Sequence, residues 1–260
     1  MAETEDIGQS PGKALMKKLY HLKIAPKALA RLVILPGDPH RAASIAKTFL
    51  KHAQLINDYR GLDAYTGSYN GTRVSVVTSG MGAPSAAIVI EELARLGAGT
   101  IIRAGTCGGI AKKVRPADIV IPTGAGSMIG FKRAYGIGEL PSVPDFRVLQ
   151  HIVTAAEIVP HTQLAHAPAV HIGPIMTSDA FFAEKKDARS LERTGVLAME
   201  MECAALFALG LVLGVRTGAV LLATGNINST EQVMDSPPIR SSLDRMIRIA
   251  LDALTSPPLS

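Results

Sequence analysis

The sequence predicts an α/β fold, a single domain in which helices flank a mixed central β-sheet. Short apolar runs alternate along the chain with longer amphipathic runs, as expected when strands and helices take turns. The 260 residues suffice for one large domain, and no linker rich in proline, serine and glycine divides them into two patterned halves. Hydrophobic residues account for 47% of the chain and charged residues for 19%, which is typical of a globular protein with a sizeable core.

Six strands and six helices are predicted. The strands are short runs rich in apolar and β-branched residues, and the helices are longer runs with apolar residues at helical spacing. In chain order the elements are strand LVILP (32–36), helix PHRAASIAKTFL (39–50), strand TRVSVVTS (72–79), helix PSAAIVIEELARLG (84–97), strands TIIRAG (100–105) and ADIVIPTG (117–124), helix DFRVLQHIVTAAEI (145–158), strand PAVHIGPIMTS (168–178), helices AEKKDARSLERTG (183–195) and ECAALFALGLVLG (202–214), strand TGAVLLAT (217–224) and helix PPIRSSLDRMIRIALDAL (237–254). We expect residues 1–15 to form a disordered N-terminal tail and residues 16–255 to form the folded domain.

Composition argues against several classes of protein. The longest apolar runs, IVIPTGAGSMIG and ALFALGLVLG, are shorter than the roughly 18 to 20 residues that cross a bilayer, so no membrane partner is expected. The N-terminal sequence lacks the basic-then-apolar order of a secretory signal, and two cysteines are too few for a disulfide framework, which favours a reduced, cytoplasmic protein. The net charge of +5 suits an anionic small molecule, and with 4% aromatic residues and no tryptophan no nucleic-acid partner is expected.

Glycine-rich sequence follows several predicted strands directly. These junctions are LPGDPHR, VVTSGMGAPS, IIRAGTCGG and LLATGNIN. Ligands of open α/β sheets bind at the carboxyl ends of the strands. The four junctions, although distant along the chain, are therefore expected to converge on one pocket.

Two of these junctions carry arginines suited to an anion. In LPGDPHR, Gly37 lets backbone N–H groups approach an anion and Arg41 lies early in the next helix; this segment alone fits a phosphate site and an ordinary turn with a surface arginine equally well. In IIRAGTCGG, Arg103 lies inside a predicted central strand and Thr106 follows among glycines, so the charge must meet an anion or, in a structural ion pair, a carboxylate. The order G-T-C-G-G does not match the dinucleotide fingerprint, which disfavours a dinucleotide-dependent oxidoreductase.

Two further segments place polar groups or aromatic rings where they could serve a site. In MTSDAFFAE, Phe181 could stack on a planar ring or pack in the core. In AMEMECAAL, Glu200 and Glu202 interrupt one of the more apolar runs, and a buried carboxylate without a partner is costly. Each glutamate is therefore expected to have a partner, and for Glu200 a structural role at the pocket wall and a substrate contact both stay open.

Together, the motifs resemble those of a known family. The series LPGDPHR, NDYRG, GMGAPSAAIVIEEL, IIRAGTCGG, SDAFF, AMEMECAALF and TGAVLLATGN, in this order, is similar to the nucleoside phosphorylases, which include hexameric purine nucleoside, methylthioadenosine and uridine phosphorylases. The resemblance runs from about Tyr20 to about Leu254. It implies a phosphorylase/hydrolase-like fold and a pentosyltransferase of nucleoside catabolism and nucleotide salvage. Such an enzyme cleaves a nucleoside with phosphate to give a free base and (deoxy)ribose 1-phosphate, and it uses no metal and no organic cofactor.

The resemblance implies a phosphate site. In that family the glycine and arginine of the GDPxR turn bind phosphate, as do the arginine of the R-x-G-[TS] strand end and its following hydroxyl residue; they match Gly37, Arg41, Arg103 and Thr106. A further family arginine comes from a neighbouring subunit and matches Arg60. Self-association as dimers is therefore implied, with the trimer of dimers, a homohexamer, as the expected assembly.

The resemblance also implies a ribose site and candidate catalytic residues. A family histidine that reaches the ribose 5′-hydroxyl across the subunit boundary matches His21, and the pair that holds the ribose matches Met201 and Glu202. The candidate catalytic residues are Glu202, Arg103 and Asn226. Phosphate attacks an oxocarbenium-like sugar, Glu202 fixes the sugar hydroxyls and adds negative potential where positive charge grows, and Asn226 could hydrogen-bond the leaving base.

The implied base site departs from the family pattern. The stacking aromatic matches Phe181, and the base-facing segment matches Thr224, Gly225 and Asn226. Many purine members carry an aspartate in this segment, where an ungapped comparison finds Gly225. This departure argues against efficient use of 6-aminopurine nucleosides.

The uridine pattern is absent as well. Uridine members carry a glutamine and an arginine shortly after the stacking phenylalanine, where this chain has Lys185 and Asp187. The sequence therefore favours a purine nucleoside, more specifically a 6-oxopurine nucleoside such as inosine or guanosine, with uridine phosphorolysis as the alternative. A nucleosidase and a non-catalytic nucleoside-binding relative are further alternatives, and the three arginines favour phosphorolysis over both.

Overall fold

Nine strands form one sheet at the centre of the computed structural model, which describes residues 19–160, 168–229 and 236–257. The strands are β1 (Leu32–Leu35), β2 (Lys51–Asn57), β3 (Ala64–Tyr69), β4 (Thr72–Val77), β5 (Thr100–Gly109), β6 (Ile119–Ser127), β7 (Val170–Thr177), β8 (Ala198–Glu200) and β9 (Arg216–Asn226). Their order in the sheet is β2-β3-β4-β1-β5-β8-β7-β6-β9. Because β9 pairs with β5 as well as with β6, the strands from β5 to β9 form a closed ring.

Seven helices surround this sheet in the described part of the chain. They are α1 (Pro39–Phe49), α2 (Ala83–Arg95), α3 (Phe131–Ala134), α4 (Phe146–Ile158), α5 (Glu184–Leu191), α6 (Cys203–Leu213) and α7 (Pro237–Thr255). Short 3₁₀ turns span Tyr59–Gly61 and Phe181–Ala183. None of the helices in the described ranges combines the length and the apolar character that crossing a bilayer requires.

The sheet is mixed, as predicted. Within the described residues, five strand pairs are parallel: β1–β4, β1–β5, β5–β9, β6–β7 and β7–β8. The other four are antiparallel: β2–β3, β3–β4, β5–β8 and β6–β9. The carboxyl ends of β1, β4, β5 and β9 therefore lie at one edge of the sheet. This edge carries the four glycine-rich junctions whose convergence the sequence predicts.

Central strands bury both of their faces, because helices cover the sheet on two sides. Val33 and Leu35 of β1 belong to an apolar cluster with α2 and α6, whereas Ile34 between them belongs to a second cluster with α1, α4 and α7. In β5, Ile101 belongs to the first of these clusters and Ile102 to the second. This alternation follows from the two-residue period of a strand, and it explains why the runs read as continuously apolar.

Helix boundaries follow local capping. The Asp38 side chain accepts a hydrogen bond from the His40 N–H (2.9 Å) at the start of α1, and Asp145 accepts one from Val148 (3.0 Å) at the start of α4. At the other end of α6, Gly214 adopts the left-handed conformation with φ of 66°. These local signals set where the helices begin and end.

All six predicted strands and all six predicted helices are present, with ends that differ by a few residues. Strands β2, β3 and β8 and the short helix α3 were not predicted. The predicted tail, residues 1–15, lies outside the described residues.

Candidate active site

Two glycine-rich loops and one arginine meet at the carboxyl edge of the sheet. The Ser79 N–H donates to the Pro36 carbonyl (2.8 Å), which joins the loop after β4 to the loop after β1. A Cβ atom placed on Gly37 would lie 3.2 Å from the Gly80 carbonyl oxygen and 3.9 Å from Nη1 of Arg103. Glycine at position 37 therefore lets the loop after β1 approach both the Gly80 carbonyl and the Arg103 guanidinium closely.

Arg103 is buried in β5, with 4% of its surface exposed. Its guanidinium lies along the strand over Gly105, since a Cβ atom there would fall 2.6 Å from Cζ of Arg103. Nε lies 3.3 Å from Oε2 of Glu200, and Nη2 contacts Oε2 of Glu202. Burial alone would lower the pKa of Arg103, but Glu202 and then Glu200 raise it above its ordinary value, so the guanidinium is charged.

Nη1 of Arg103 is the group that faces the loops. It is buried, and among the described residues it has no hydrogen-bond partner. A buried, charged donor without a partner is costly, and buried polar groups are otherwise nearly always paired. The arrangement therefore has the geometry of an anion site. Nη1 is the donor for the anion, and the carboxylates of Glu200 and Glu202 fix the guanidinium through Nε and Nη2.

Glu200 has a structural role, which the sequence left open. Its carboxylate accepts hydrogen bonds from the Thr177 hydroxyl (2.6 Å) and from the N–H groups of Glu202 (2.8 Å) and Cys203 (2.9 Å) at the start of α6. The Thr177 hydroxyl in turn accepts from the Ala204 N–H (2.9 Å). Glu200 therefore caps α6, compensates the charge of Arg103 and has little capacity left for a substrate.

Glu202 lies at the N-cap of α6, at the end of the short strand β8. Its Oε1 accepts the N–H of Gly82 (2.5 Å), the residue that precedes α2, and its Oε2 contacts Arg103. A carboxylate offers about four acceptor positions, so two stay available for a diol. Burial raises the pKa of Glu202, and the charge of Arg103 opposes this shift while that of Glu200 adds to it.

Gly82 and Gly80 adopt conformations that favour glycine. Their φ angles are 83° and 71°, in the region that residues with a Cβ rarely occupy. This backbone path aims the Gly82 N–H at Glu202. The segment GMGAPS thus joins the anion side of the site to the carboxylate side.

Arg41 and Thr106 lie at the same edge of the sheet. Arg41, in the first turn of α1, is half-buried, and burial lowers its pKa; the carboxylate of Asp38 opposes this shift and the positive charge of Arg103 adds to it. Thr106 is half-buried in β5, three residues beyond Arg103.

His21 and Arg60 lie in segments beside strands β2 to β4. The turn that carries Arg60 joins β2 to β3, and because Ala64 pairs with Val77 at the carboxyl end of β4, this turn lies at the same edge of the sheet. His21 is held by Glu92, which accepts hydrogen bonds from its ring Nδ1 (2.9 Å) and from the backbone N–H groups of Tyr20 (2.9 Å) and Leu22 (2.7 Å). Burial raises the pKa of Glu92, but the hydrogen bonds from Leu22, His21 and Tyr20 outweigh it, so the net shift is downward. Arg60 is exposed in the turn Tyr59–Gly61 and has φ of 62°.

The residues of the predicted base site lie in two segments. Phe181 is 60% exposed and makes an edge-to-face contact with Phe182 at 5.2 Å between ring centroids. In β9, Thr224 lies at a bulge, because Ala223 pairs with Cys107 and Gly225 pairs with Gly108.

Asn226 makes hydrogen bonds within the protein. Its Nδ2 donates to the carbonyls of Ala111 and Val114 (both 3.0 Å), and its Oδ1 accepts from the Asn228 N–H (3.0 Å). The side chain thereby fixes the loop after β5 to the end of β9. Its predicted contact with the base stays a prediction.

Glu184 was not selected from the sequence. As the first residue of α5 it is 7% exposed, and its Oε1 has no hydrogen-bond partner among the described residues. Burial, and then the charge of Glu200, raise its pKa to about 7. In the sequence it belongs to the charged run EKKD, which resembles an ordinary exposed helix start.

No cluster of three or more His, Cys, Asp or Glu side chains that could hold a metal ion is found among the described residues.

Comparisons with known proteins agree on one family. The sequence profile of the phosphorylase superfamily matches residues 31–250. A guanosine phosphorylase from Halorubrum lacusprofundi is 35% identical over 93% of this chain and 100% of its own length. A uridine phosphorylase from Treponema pallidum is 38% identical over 90% of this chain and 92% of its own, and a DeoD-type purine nucleoside phosphorylase from Geobacillus kaustophilus is 35% identical over 90% and 96%.

Solved structures resemble the fold as well. The crystal structure of uridine phosphorylase from Vibrio fischeri aligns with a TM-score of 0.82 and 24% identity, and the alignment covers 92% of this chain and 98% of that one. At this identity, the likeness to that structure concerns the fold.

Proposed function

The chain belongs to the phosphorylase superfamily and is an enzyme of the nucleoside phosphorylase type, and we propose that it cleaves 6-oxopurine nucleosides with inorganic phosphate. The products are the free base and ribose 1-phosphate or deoxyribose 1-phosphate. The observation that carries the phosphate part of this proposal is the unpartnered, buried Nη1 of Arg103 beside Gly37.

The phosphate site is proposed to comprise Gly37, Arg41, Arg103 and Thr106. A dianion placed before Nη1 of Arg103 would give this donor a partner and would also offset the repulsion between Arg103 and Arg41. Glu200 and Glu202 hold Arg103 from the opposite side, so the guanidinium is fixed before phosphate arrives. A hydrolase that uses water would have no need for this set.

The ribose is proposed to lie between the phosphate and Glu202, with Met201 beside it. The carboxylate of Glu202 is fixed by the Gly82 N–H and by Arg103, and its free acceptor positions suit the 2′- and 3′-hydroxyls. As the glycosidic bond stretches, the sugar gains oxocarbenium character. Phosphate on one face and a fixed carboxylate at the diol stabilise this charge, and neither has to reorganise during the reaction.

The preference for 6-oxopurines rests on three observations. Neither Gly225 nor Asn226 is an acidic residue like the aspartate that many purine members carry beside the base. The Asn226 amide makes three hydrogen bonds inside the protein. Lys185 is exposed and Asp187 half-buried where uridine members carry a glutamine and an arginine. The relative named guanosine phosphorylase covers 93% of this chain. Uridine is the second candidate, because the relative named uridine phosphorylase is 38% identical.

Phosphate dependence is the first prediction. With inosine or guanosine, release of free base is expected to rise at least about 100-fold when sulfate is exchanged for phosphate at equal ionic strength. Sulfate matches the shape of phosphate but yields no sugar phosphate. The measurement follows free base and ribose 1-phosphate from inosine, guanosine, adenosine, methylthioadenosine and uridine side by side. Equal base release in both buffers would indicate a nucleosidase, and a uridine rate above all purine rates would overturn the proposed specificity.

We propose that a second subunit completes each site through His21 and Arg60, in a dimer that forms part of a trimer of dimers. Arg60 is exposed, and its left-handed φ of 62° is a sparsely populated conformation of the kind found in turns shaped for function. The ring of His21 is fixed by Glu92 at the protein surface. Both side chains therefore lie at the surface of their own chain, where a second subunit can contact them.

Subunit complementation tests this arrangement. Arg60→Ala and Glu202→Ala subunits are each expected to be nearly inactive alone. Co-expressed in equal amounts, they should recover about a quarter of wild-type activity, because half of the dimers are mixed and each mixed dimer contains one intact site. Activity that equals the mean of the two separate variants would place Arg60 in its own chain's site, and a monomer by sedimentation would exclude the dimer.

A further inference from the structure

Glu184 is a buried carboxylate whose Oε1 has no partner within the described residues, and the phosphate and ribose sites do not use it. It is 7% exposed, although it begins the otherwise charged helix α5. Ala188, one helical turn further, packs into an apolar cluster with Ile110, Val196 and Met199. The face of α5 that carries Glu184 is therefore turned toward the ends of β5 and β8, where the candidate site lies.

Other buried carboxylates in the described residues are paired. Glu92 accepts four N–H groups, Asp118 accepts backbone N–H groups and pairs with His171 (2.8 Å), and Glu200 and Glu202 share Arg103. Oε1 of Glu184 is the exception. A group that is costly to bury and has no internal partner indicates a function outside the fold itself.

Two neighbours connect Glu184 with the base. Phe181 lies three residues earlier at the start of the 3₁₀ turn Phe181–Ala183, which continues directly into α5, and residues three apart in such a turn lie on one side. On the other side, Ala188 of α5 packs in one cluster with Met199, the residue before Glu200 in β8, and the charge of Glu200 is one cause of the raised pKa of Glu184. Glu184 is thus placed between the exposed ring of Phe181 and the interior of the site.

We propose that Glu184 binds the base, and that its carboxylate accepts hydrogen bonds from N1–H and the exocyclic 2-amino group of guanine while the purine ring lies against Phe181. This inference rests on the proposed nucleoside phosphorylase function and names a specificity-determining residue for it.

The chemistry of the bases selects guanine among the candidates. An ionised carboxylate only accepts hydrogen bonds, and it fits two adjacent N–H donors in a bidentate pair. Guanine presents two such donors, N1–H and the 2-amino group, whereas hypoxanthine presents one. Adenine presents the acceptor N1 at the same edge, and uracil flanks its single N3–H with two carbonyl oxygens. Each of these acceptors would repel the carboxylate, so Glu184 favours guanosine first and inosine second.

The test compares Glu184→Gln with Glu192→Gln as a matched control. Glu192 caps the other end of α5 and pairs with Lys112 at 3.6 Å, so its replacement removes the same charge from the same helix. At saturating phosphate, Glu184→Gln is expected to lower kcat/KM for guanosine by about 10- to 100-fold and that for inosine less, mainly through KM. Glu192→Gln should leave the guanosine-to-inosine ratio unchanged.

Several outcomes would overturn the inference. Equal losses for guanosine, inosine and uridine would indicate a structural role, and an unchanged guanosine rate would exclude the contact. Glu184→Asp keeps the charge but shortens the side chain by one methylene, so the inference predicts that this variant also loses the preference for guanosine. A Glu184→Asp protein that keeps the preference would contradict it.

Binding of free guanine, measured by calorimetry, separates this inference from the proposed function. Should wild-type protein cleave no nucleoside, guanine binding that is lost in Glu184→Gln would still support the contact. Guanine binding that is equal in both proteins would refute it.

Discussion

Replacing Glu202 with alanine is expected to lower kcat for phosphorolysis by about 10²- to 10³-fold, the range found when one fixed electrostatic contact to a transition state is removed. The carboxylate is held by the Gly82 N–H and by Arg103, so its position is set before substrate binds. In the proposed mechanism its contribution is largest when the sugar carries positive charge, and the loss is therefore expected in kcat more than in KM for phosphate. Steady-state kinetics with guanosine and phosphate varied in turn measures both constants.

Two variants separate charge from position in this prediction. Glu202→Gln keeps an oxygen for the Gly82 N–H but removes the negative charge, so its activity should fall between those of wild type and Glu202→Ala. Glu91→Ala is the control, since Glu91 forms a surface pair with Arg95 (3.0 Å) on helix α2, a contact worth about 0.3–0.5 kcal/mol. A Glu202→Ala protein with near-normal kcat would remove Glu202 from the catalytic step.

The main elements of the fold could be predicted because the central strands are apolar runs and most covering helices carry apolar residues at helical spacing. The segments that were missed lack this signal. Five of the seven residues of β2 are exposed, and this strand lies at the end of the sheet, so it has no buried face to alternate with a polar one. Strand β8 has three residues and two paired positions with each neighbour, which is too short for any period to show.

Within the site, sequence patterns identified charges in apolar runs but not their partners. Arg103 and the Glu200–Glu202 pair stand out because a charge interrupts an apolar segment. That Glu200 caps α6 while Glu202 reaches the Gly82 N–H depends on how β8 meets the loop before α2, a contact between residues 120 positions apart. Glu184 lies in a charged run, and its burial arises only from the packing of α5 against the ends of β5 and β8.

Replacing Arg103 with methionine is expected to lower the free energy of unfolding by about 3–5 kcal/mol and to abolish phosphate-dependent cleavage. The substitution leaves Glu200 and Glu202 buried beside each other without their cation. Burial already raises the pKa of Glu202, and without Arg103 it should rise further, so the folded protein would take up a proton that the unfolded chain does not hold near neutral pH. The stability deficit should therefore be largest above neutral pH and shrink as the pH falls toward 5. Urea unfolding of both proteins across this range measures it, and a deficit that does not depend on pH would contradict the shared-cation arrangement.

Gly105→Ala tests the position of Arg103 without removing its charge. A Cβ atom at position 105 would lie 2.6 Å from Cζ of Arg103, so the guanidinium must move off the strand. Gly138→Ala is the matched control, because nothing lies within 4 Å of a Cβ atom there and its backbone is not in the left-handed region. KM for phosphate is expected to rise at least about tenfold in Gly105→Ala, since a charge-assisted hydrogen bond from the guanidinium depends on geometry as well as charge. The two glutamates keep a nearby cation in this variant, so its stability should fall less than that of Arg103→Met. An unchanged KM for phosphate, with Arg103 displaced, would mean that the anion is held by Arg41 and the loop backbone instead.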